Sequence, residues 1–548
     1  MRVIYRAAFM VTTGLLLAGQ PVVQAQPPGY QTASADATVK GKDFTPLIPY
    51  RNEAHRLQGI TDPSGKYFRL FLPGHHHTSV SGQPELPVYS RLMEVPADMT
   101  LEVILTGVKS KRIRFTEYAP GKSELFPVQP ARTKNQKQDE KVSVKDSRIY
   151  KTEGTIVHDT VTVTSEGIFR GRKLVNIAVY PAFYNPSAGY VDLITSMDLH
   201  ISLKPSQAKG GEEELLSDDK GGYASASYIP GYTDRPVNMV IVTDSLFRKH
   251  LTPLVRWKML KGIRTKIFYK GAGPADTVYY DLKKRISEYY FTSLESGIPV
   301  QYLLIVGDPS VVPTSRGTGN VSDLYYGEFD GEGDYIPELF IGRLPVADTT
   351  QLKQVVKKII DYETFSYSPS NKFWAGALAT AGNAPGIYET YMNGQVQYIY
   401  DNYLEPDTSL NAVRWLSPDA PLKDDSLKLL FNSGLGILNY TGHGEASGFS
   451  DPVFKVSTIK ELTNINKYPL IIANACRTAQ INVTPNFGSS IVTASDKGAL
   501  GYIGCTNDSY WTDDFFWAVG PGTPGLDVTY ENTGAGAFDR LFHTHDEP

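Results

Sequence analysis

Four short stretches from residue 237 onward are almost continuously apolar: 237–243 (VNMVIVT), 299–308 (PVQYLLIVGD), 434–440 (GLGILNY) and 469–475 (PLIIANA). A strand reads this way only when both of its faces are buried, and that requires helices packed over both sides of a mainly parallel sheet. The intervening sequence supplies them. Residues 246–262 form a helical stretch ending near Gly262, and Leu352, Val355, Val356, Ile359 and Ile360 fall at the i, i+3, i+4, i+7, i+8 spacing of one helix face. Further strands are expected at 376–380, 410–416 and 500–505. Ligands on such sheets bind beyond the carboxyl ends of the strands, so those ends are where chemistry is sought.

The first half has another rhythm. In 190–203 (YVDLITSMDLHISL) apolar and polar residues alternate, the pattern of a half-buried strand. Strands are also expected at 66–73, 100–107, 155–163 and 174–185, with few long helical patterns, which predicts a β-sandwich. Residues 206–235 are polar, glycine-rich and acidic, and read as an exposed linker open to proteolysis. At the start, Arg2 and Arg6 precede the apolar stretch 7–18 and the small residues before Gln26, the layout of a secretory signal peptide over 1–25. No stretch is long enough to span a membrane. The expected division is therefore a signal peptide (1–25), a β-rich domain (26–229) and an α/β domain (230–548) of two subdomains.

Lys+Arg total 54 against 58 Asp+Glu, a net charge of -4 that argues against a nucleic-acid partner. Two cysteines, Cys476 and Cys505, cannot form a disulfide framework. Each has to be weighed for chemistry instead.

Two strand ends stand out. GLGILNYTGHGEAS carries a strand into His443, and YPLIIANACRTAQ carries another into Cys476, 33 residues later. That spacing allows one crossover helix between neighbouring parallel strands and brings both side chains to one sheet edge. There an imidazole can deprotonate the thiol. Gly444 lets the main chain after the histidine approach a substrate carbonyl, and the Cys476 amide offers a second oxyanion donor. Cys505 has no such histidine and reads as an inert buried thiol. His75, His76 and His77 are consecutive, cannot converge on one ion from a strand, and are expected in a surface loop.

These blocks, together with GALGYIGCTNDSYWTDDFFWAVG, resemble the gingipain family of the caspase/legumain-type cysteine peptidases, its lysine-specific branch above all. GQPELPVYSRLMEVP (82–96) resembles the family's propeptides. The resemblance implies a caspase-like α/β/α sandwich behind a β-sandwich prodomain, secreted or held at the cell surface. It implies a zymogen inhibited by its own prodomain, with protein and peptide substrates. Residue by residue it makes His443 and Cys476 the catalytic pair, with Gly444 and Cys476 as oxyanion donors. A substrate lysine would meet Asp514 and Thr441 and lie along Trp511, with Asp513 as the neighbour that could replace Asp514. The family's third catalytic acid has no counterpart in ATAGNAPGIYE, where Asn383 is the nearest polar residue and Glu389 lies further on. FDGEGDYIPEL (329–339) resembles the family's calcium loop, which implies structural calcium on Glu332 or Asp330, Asp334, the Ile336 carbonyl and Glu338, with Asp308 at a second site. No organic cofactor is expected. The chain is also expected to stop inside its catalytic domain. The expected function is lysine-specific endopeptidase; the alternative is a catalytically impaired homologue acting as a cell-surface binding or assembly protein.

Overall fold

The computed structural model describes residues 47–205 and 237–542, apart from short stretches within them (53, 63, 97–98, 120–123, 136–142, 170–171, 317–320, 332–334, 367–371, 385, 405–409 and 420–422). The signal-peptide and linker expectations lie outside the described residues.

The N-terminal region is β-rich. Its spine is the antiparallel pair Met99–Arg114 and Tyr190–Pro205, joined by Leu47–Arg51 and Ala182–Asn185. A second sheet runs His76–His77, Pro87–Val95, Arg172–Val179, Val161–Phe169, and a third pairs Arg56–Asp62 with Gly65–Phe71 and Glu124–Leu125. The alternation in 190–203 is borne out: Val191, Leu193, Met197, Leu199 and Ile201 are buried to 2% exposure or less. Two expectations shift. The single strand over 174–185 is broken into two around Pro181, which cannot donate to a ladder, and the strand expected from residue 155 begins at Val161.

The α/β region contains two parallel sheets. The first runs Ile263–Tyr269, Val237–Thr243, Val300–Val306, Phe340–Leu344. The second runs Asn411–Trp415, Gly376–Ala381, Ile437–Thr441, Leu470–Asn474, Gly501–Gly504. Apolar clusters lie on both faces of each sheet, as strands without a polar side require. On the second sheet, the helices Ile387–Ile399 and Trp511–Val519 cover one face, and Asp424–Ser433 and Phe487–Thr493 cover the other. Among the described residues no helix is long and apolar enough to cross a membrane.

The three histidines do not form a surface loop. His75 is 4% exposed, with Nε2 2.8 Å from the Tyr50 hydroxyl and Nδ1 2.7 Å from the Pro73 carbonyl oxygen. His76 and His77 form a short strand against Val88 and Pro87. Aromatic neighbours Tyr50 and Tyr89 accept the His75 ring as a packing partner, a role that the polar character of the triplet concealed.

Candidate active site

The histidine strand Ile437–Thr441 and the cysteine strand Leu470–Asn474 are direct parallel neighbours, with Thr441 opposite Asn474. His443 and Cys476 each follow two residues later, at the same carboxyl edge. A Cβ on Gly444 would fall 2.7 Å from Thr478 Cγ2, 2.9 Å from Ala475 Cβ and 3.2 Å from the Cys476 carbonyl oxygen. The turn after the histidine therefore lies directly on the turn after the cysteine, and only glycine permits it. The Cys476 thiol is fully buried, donates to the Ser509 carbonyl at 3.6 Å and accepts from the Ser509 amide at 3.3 Å.

The His443 ring meets Trp511 edge-on, with centroids 5.1 Å apart. Burial lowers its pKa most, the Lys134 charge lowers it further, and the Asp451 carboxylate and a hydrogen bond to the Lys134 main chain act the other way. Asp451 is a residue the sequence reading missed. The hairpin Gly444–Glu445/Gly448–Phe449 folds the chain back, Ser450 N bonds the His443 carbonyl at 3.1 Å, and the next residue is Asp451. Burial raises the Asp451 pKa and His443 opposes that rise. The only advance signal was an acid eight residues after the histidine. Asn383, by contrast, is half-buried after the strand Gly376–Ala381, and among the described residues no hydrogen bond joins it to His443.

The pocket beside this pair is filled by the N-terminal region. Thr133 bridges Tyr510 in antiparallel fashion, Lys134 N donates to the Ser509 carbonyl at 3.0 Å, and Asn135 Nδ2 donates to Asp508 Oδ1 at 2.8 Å. The Lys134 side chain is entirely buried. Its ammonium lies 2.6 Å from Asp514 Oδ2, donates to the Asn474 carbonyl at 2.6 Å, and sits 4.8 Å from the Trp511 ring centroid. Asp514 and Trp511 thus meet a lysine as the resemblance implies. Thr441 is fully buried, yet among the described residues its hydroxyl makes no hydrogen bond; the second oxygen on the ammonium is the Asn474 carbonyl, which went unforeseen. Asp513, alongside, has its pKa raised by burial and then by Asp514. Nothing in the polar stretch ARTKNQK marked Lys134 in advance.

Cys505 is half-buried, and burial pushes its thiol up to about 11, against nucleophilic use. In the acidic loop, Glu338 is 1% exposed, and burial together with the adjoining Asp330 raises its pKa to about 9. Two carboxyl groups pressed together in this way, with the Ile336 carbonyl two residues before Glu338, make a donor set that suits a hard cation. Glu332 and Asp334 lie outside the described residues, and among the described residues no three metal-type side chains converge. Asp308 is engaged otherwise: its Oδ1 accepts from Ser310 N, Ser310 Oγ and Val311 N, capping the turn after its strand.

A cysteine peptidase is the class that this sheet edge defines, and comparison with known proteins gives the family. Residues 232–546 match the model described as Peptidase family C25, and residues 42–224 match Propeptide_C25. The chain belongs to that family, the gingipain cysteine peptidases, and carries its propeptide. It is 28% identical over 502 residues to Lys-gingipain of Porphyromonas gingivalis strain ATCC 33277, covering 89% of this chain and 29% of the relative. It is 23% identical over 515 residues to Gingipain R2 of strain W83, covering 91% of this chain and 67% of that one. The chain thus spans less than a third of the length of Lys-gingipain. A solved structure described as a protease aligns with a TM-score of 0.52 at 30% identity, over 57% of this chain and 68% of its own.

Proposed function

We propose that this chain is a secreted cysteine endopeptidase, made as a zymogen, that cleaves peptide bonds after lysine. The observation that carries the reading is Lys134. A lysine from the propeptide, its main chain against His443 and its ammonium on Asp514 and Asn474, is placed as a substrate's lysine would be placed.

In the reaction, His443 takes the Cys476 proton and the thiolate attacks the main-chain carbonyl carbon of the substrate lysine. The Gly444 and Cys476 amides face the developing oxyanion. His443 then gives its proton to the leaving amine, and water, deprotonated by the same imidazole, hydrolyses the thioester. Asp451 takes the place proposed for Asn383, keeping the imidazole oriented and favouring its charged form. Asp514 supplies the counter-charge and Trp511 lies against the lysine. A compact ammonium is satisfied by one carboxylate and one carbonyl, whereas a guanidinium fork needs a planar bidentate partner. Among the described residues, calcium would be held by Asp330, Glu338 and the Ile336 carbonyl, and would neutralise the carboxylates without entering the chemistry.

Paired peptides differing only in lysine or arginine before the scissile bond test the specificity. Equal or faster turnover of the arginine peptide refutes it. The alternative, an impaired homologue acting as a binding protein, draws on Asn383, which among the described residues makes no hydrogen bond to His443. It would be favoured if the matured, folded chain failed to react with a lysyl chloromethyl ketone.

A further inference from the structure

Behind the floor of the lysine pocket lies a second layer of polar side chains that the mechanism above does not use. Side chains two apart on a strand share a face, and Ile437 and Ile472 place that face against the helix Ile387–Ile399. Asn439 and Thr441 on the histidine strand, and Asn474 on the cysteine strand, therefore project toward this helix. On the other side, the strand Gly376–Ala381 sets Ala379 opposite Asn439 and Ala381 opposite Thr441, methyl groups that contribute no polar partner. Gln395 comes from the helix and is wholly buried. Its Oε1 accepts from Asn474 Nδ2 at 2.9 Å, and the same amide reaches the Asp514 carbonyl at 3.4 Å. The main-chain carbonyl of Asn474 is the one that receives the Lys134 ammonium. Gln395 is thus one residue removed from the ammonium, and it grips the residue that ties the two oxygens of the pocket together.

Among the described residues, four atoms in this layer make no hydrogen bond: Gln395 Nε2, Asn439 Nδ2, Asn439 Oδ1 and Thr441 Oγ1. Buried polar groups are costly when unsatisfied, and a core of Ala, Ile, Val and Met has no use for an amide unless something pairs with it. Donors and acceptors grouped between small side chains are the setting in which proteins hold internal water. The ammonium itself has three protons and, among the described residues, two oxygen partners.

We propose that Gln395, Asn439 and Thr441 form a water-holding recess that completes the lysine pocket, with Gln395 as the positioning residue that fixes Asn474 against the substrate ammonium. The inference rests on the lysine-specific reading. It assigns the choice of lysine to a layer deeper than the residues in direct contact with the ammonium, and it predicts that this layer matters only to substrates that carry one.

The test uses the full chain, matured by its own processing and titrated for reactive thiol with iodoacetamide. Two peptides differ only in lysine or norleucine before the scissile bond. Gln395→Met keeps the side chain's length and removes its hydrogen bonds; Asn439→Leu does the same one layer away, and it serves should the first variant fail to fold. Each variant is expected to lower kcat/KM for the lysyl peptide about tenfold or more, mainly through KM, and to leave the norleucyl peptide within about twofold. A wild type that prefers lysine, with variants that keep the same preference or lose both activities equally, overturns this inference alone. A wild type without preference for lysine overturns the specificity reading and this inference with it.

Discussion

Replacing Lys134 with methionine isolates the contact that closes the pocket. The variant keeps an unbranched apolar stem against Trp511 and keeps the main-chain bond to Ser509 and the Asn135–Asp508 contact. It removes the ammonium, so the Asp514 carboxylate, its side chain 10% exposed, faces a thioether. Breaking a buried pair from one side costs about 3–4 kcal/mol when one partner keeps some solvent access. At about 1.4 kcal/mol per decade, the population with the propeptide segment lifted from the cleft rises by about 10²–10³-fold. Reaction of Cys476 with a lysyl chloromethyl ketone in the uncut chain reads that population, because the reagent needs the pocket that Lys134 fills. Uncut Lys134→Met is expected to label about 10²–10³ times faster than uncut wild type. Lys134→Arg should fall between them, since it restores charge without fitting the same two oxygens. A labelling rate equal to the wild type's, with the chain verified as uncut, would refute the claim that this ion pair closes the site.

Asp514→Asn is expected to reduce kcat/KM for lysyl peptides by about 10²-fold or more while barely altering norleucyl turnover, as measured on the matched peptides. Cys476→Ala and His443→Ala should each cost about 10³-fold or more in kcat, whereas Cys505→Ala stays within about twofold; the reverse ordering sinks the assignment. Gly444→Ala should lose activity together with folding stability, because its methyl has no room beside Thr478 and Ala475. His75 supplies a pH dependence. Burial holds its folded pKa at about 4, below the ordinary 6.5, so above pH 6.5 both folded and unfolded forms are neutral and nothing is lost. Between pH 6.5 and 4 the unfolded chain binds the proton first, and the N-terminal region should lose about 3 kcal/mol of stability, seen as faster hydrogen exchange in its strands. His75→Phe should flatten that slope.

Much of this was legible because it obeys periodicities. The continuously apolar strands at 237–243 and 469–475 forced a parallel sheet covered on both faces, and the positions of His443 and Cys476 just past two strands forced them to one edge. What escaped notice depends on chain reversals and on contacts across the molecule. Asp451 reaches His443 only because a short hairpin turns the chain around. Lys134 lies 380 positions before Asp514, in a stretch with no apolar period to betray burial. The Asn474 contribution is a main-chain carbonyl, which no side-chain pattern can announce. Asn383 was sought from the family's strand order, and there the chain keeps the strand, but among the described residues it makes no hydrogen bond to His443.

If the enzyme selects lysine as proposed, the propeptide lysine in the pocket makes specificity and latency a single inherited trait. One carboxylate, Asp514, would then select the substrate and also fasten the inhibitor, so a change in the pocket that favoured another basic residue would loosen Lys134 in the same step. Such a variant would be active before its propeptide was cut away, unless position 134 changed too. Drift toward a new substrate would thereby be penalised at birth, and the two positions, one in each half of the chain, would be expected to vary as a pair.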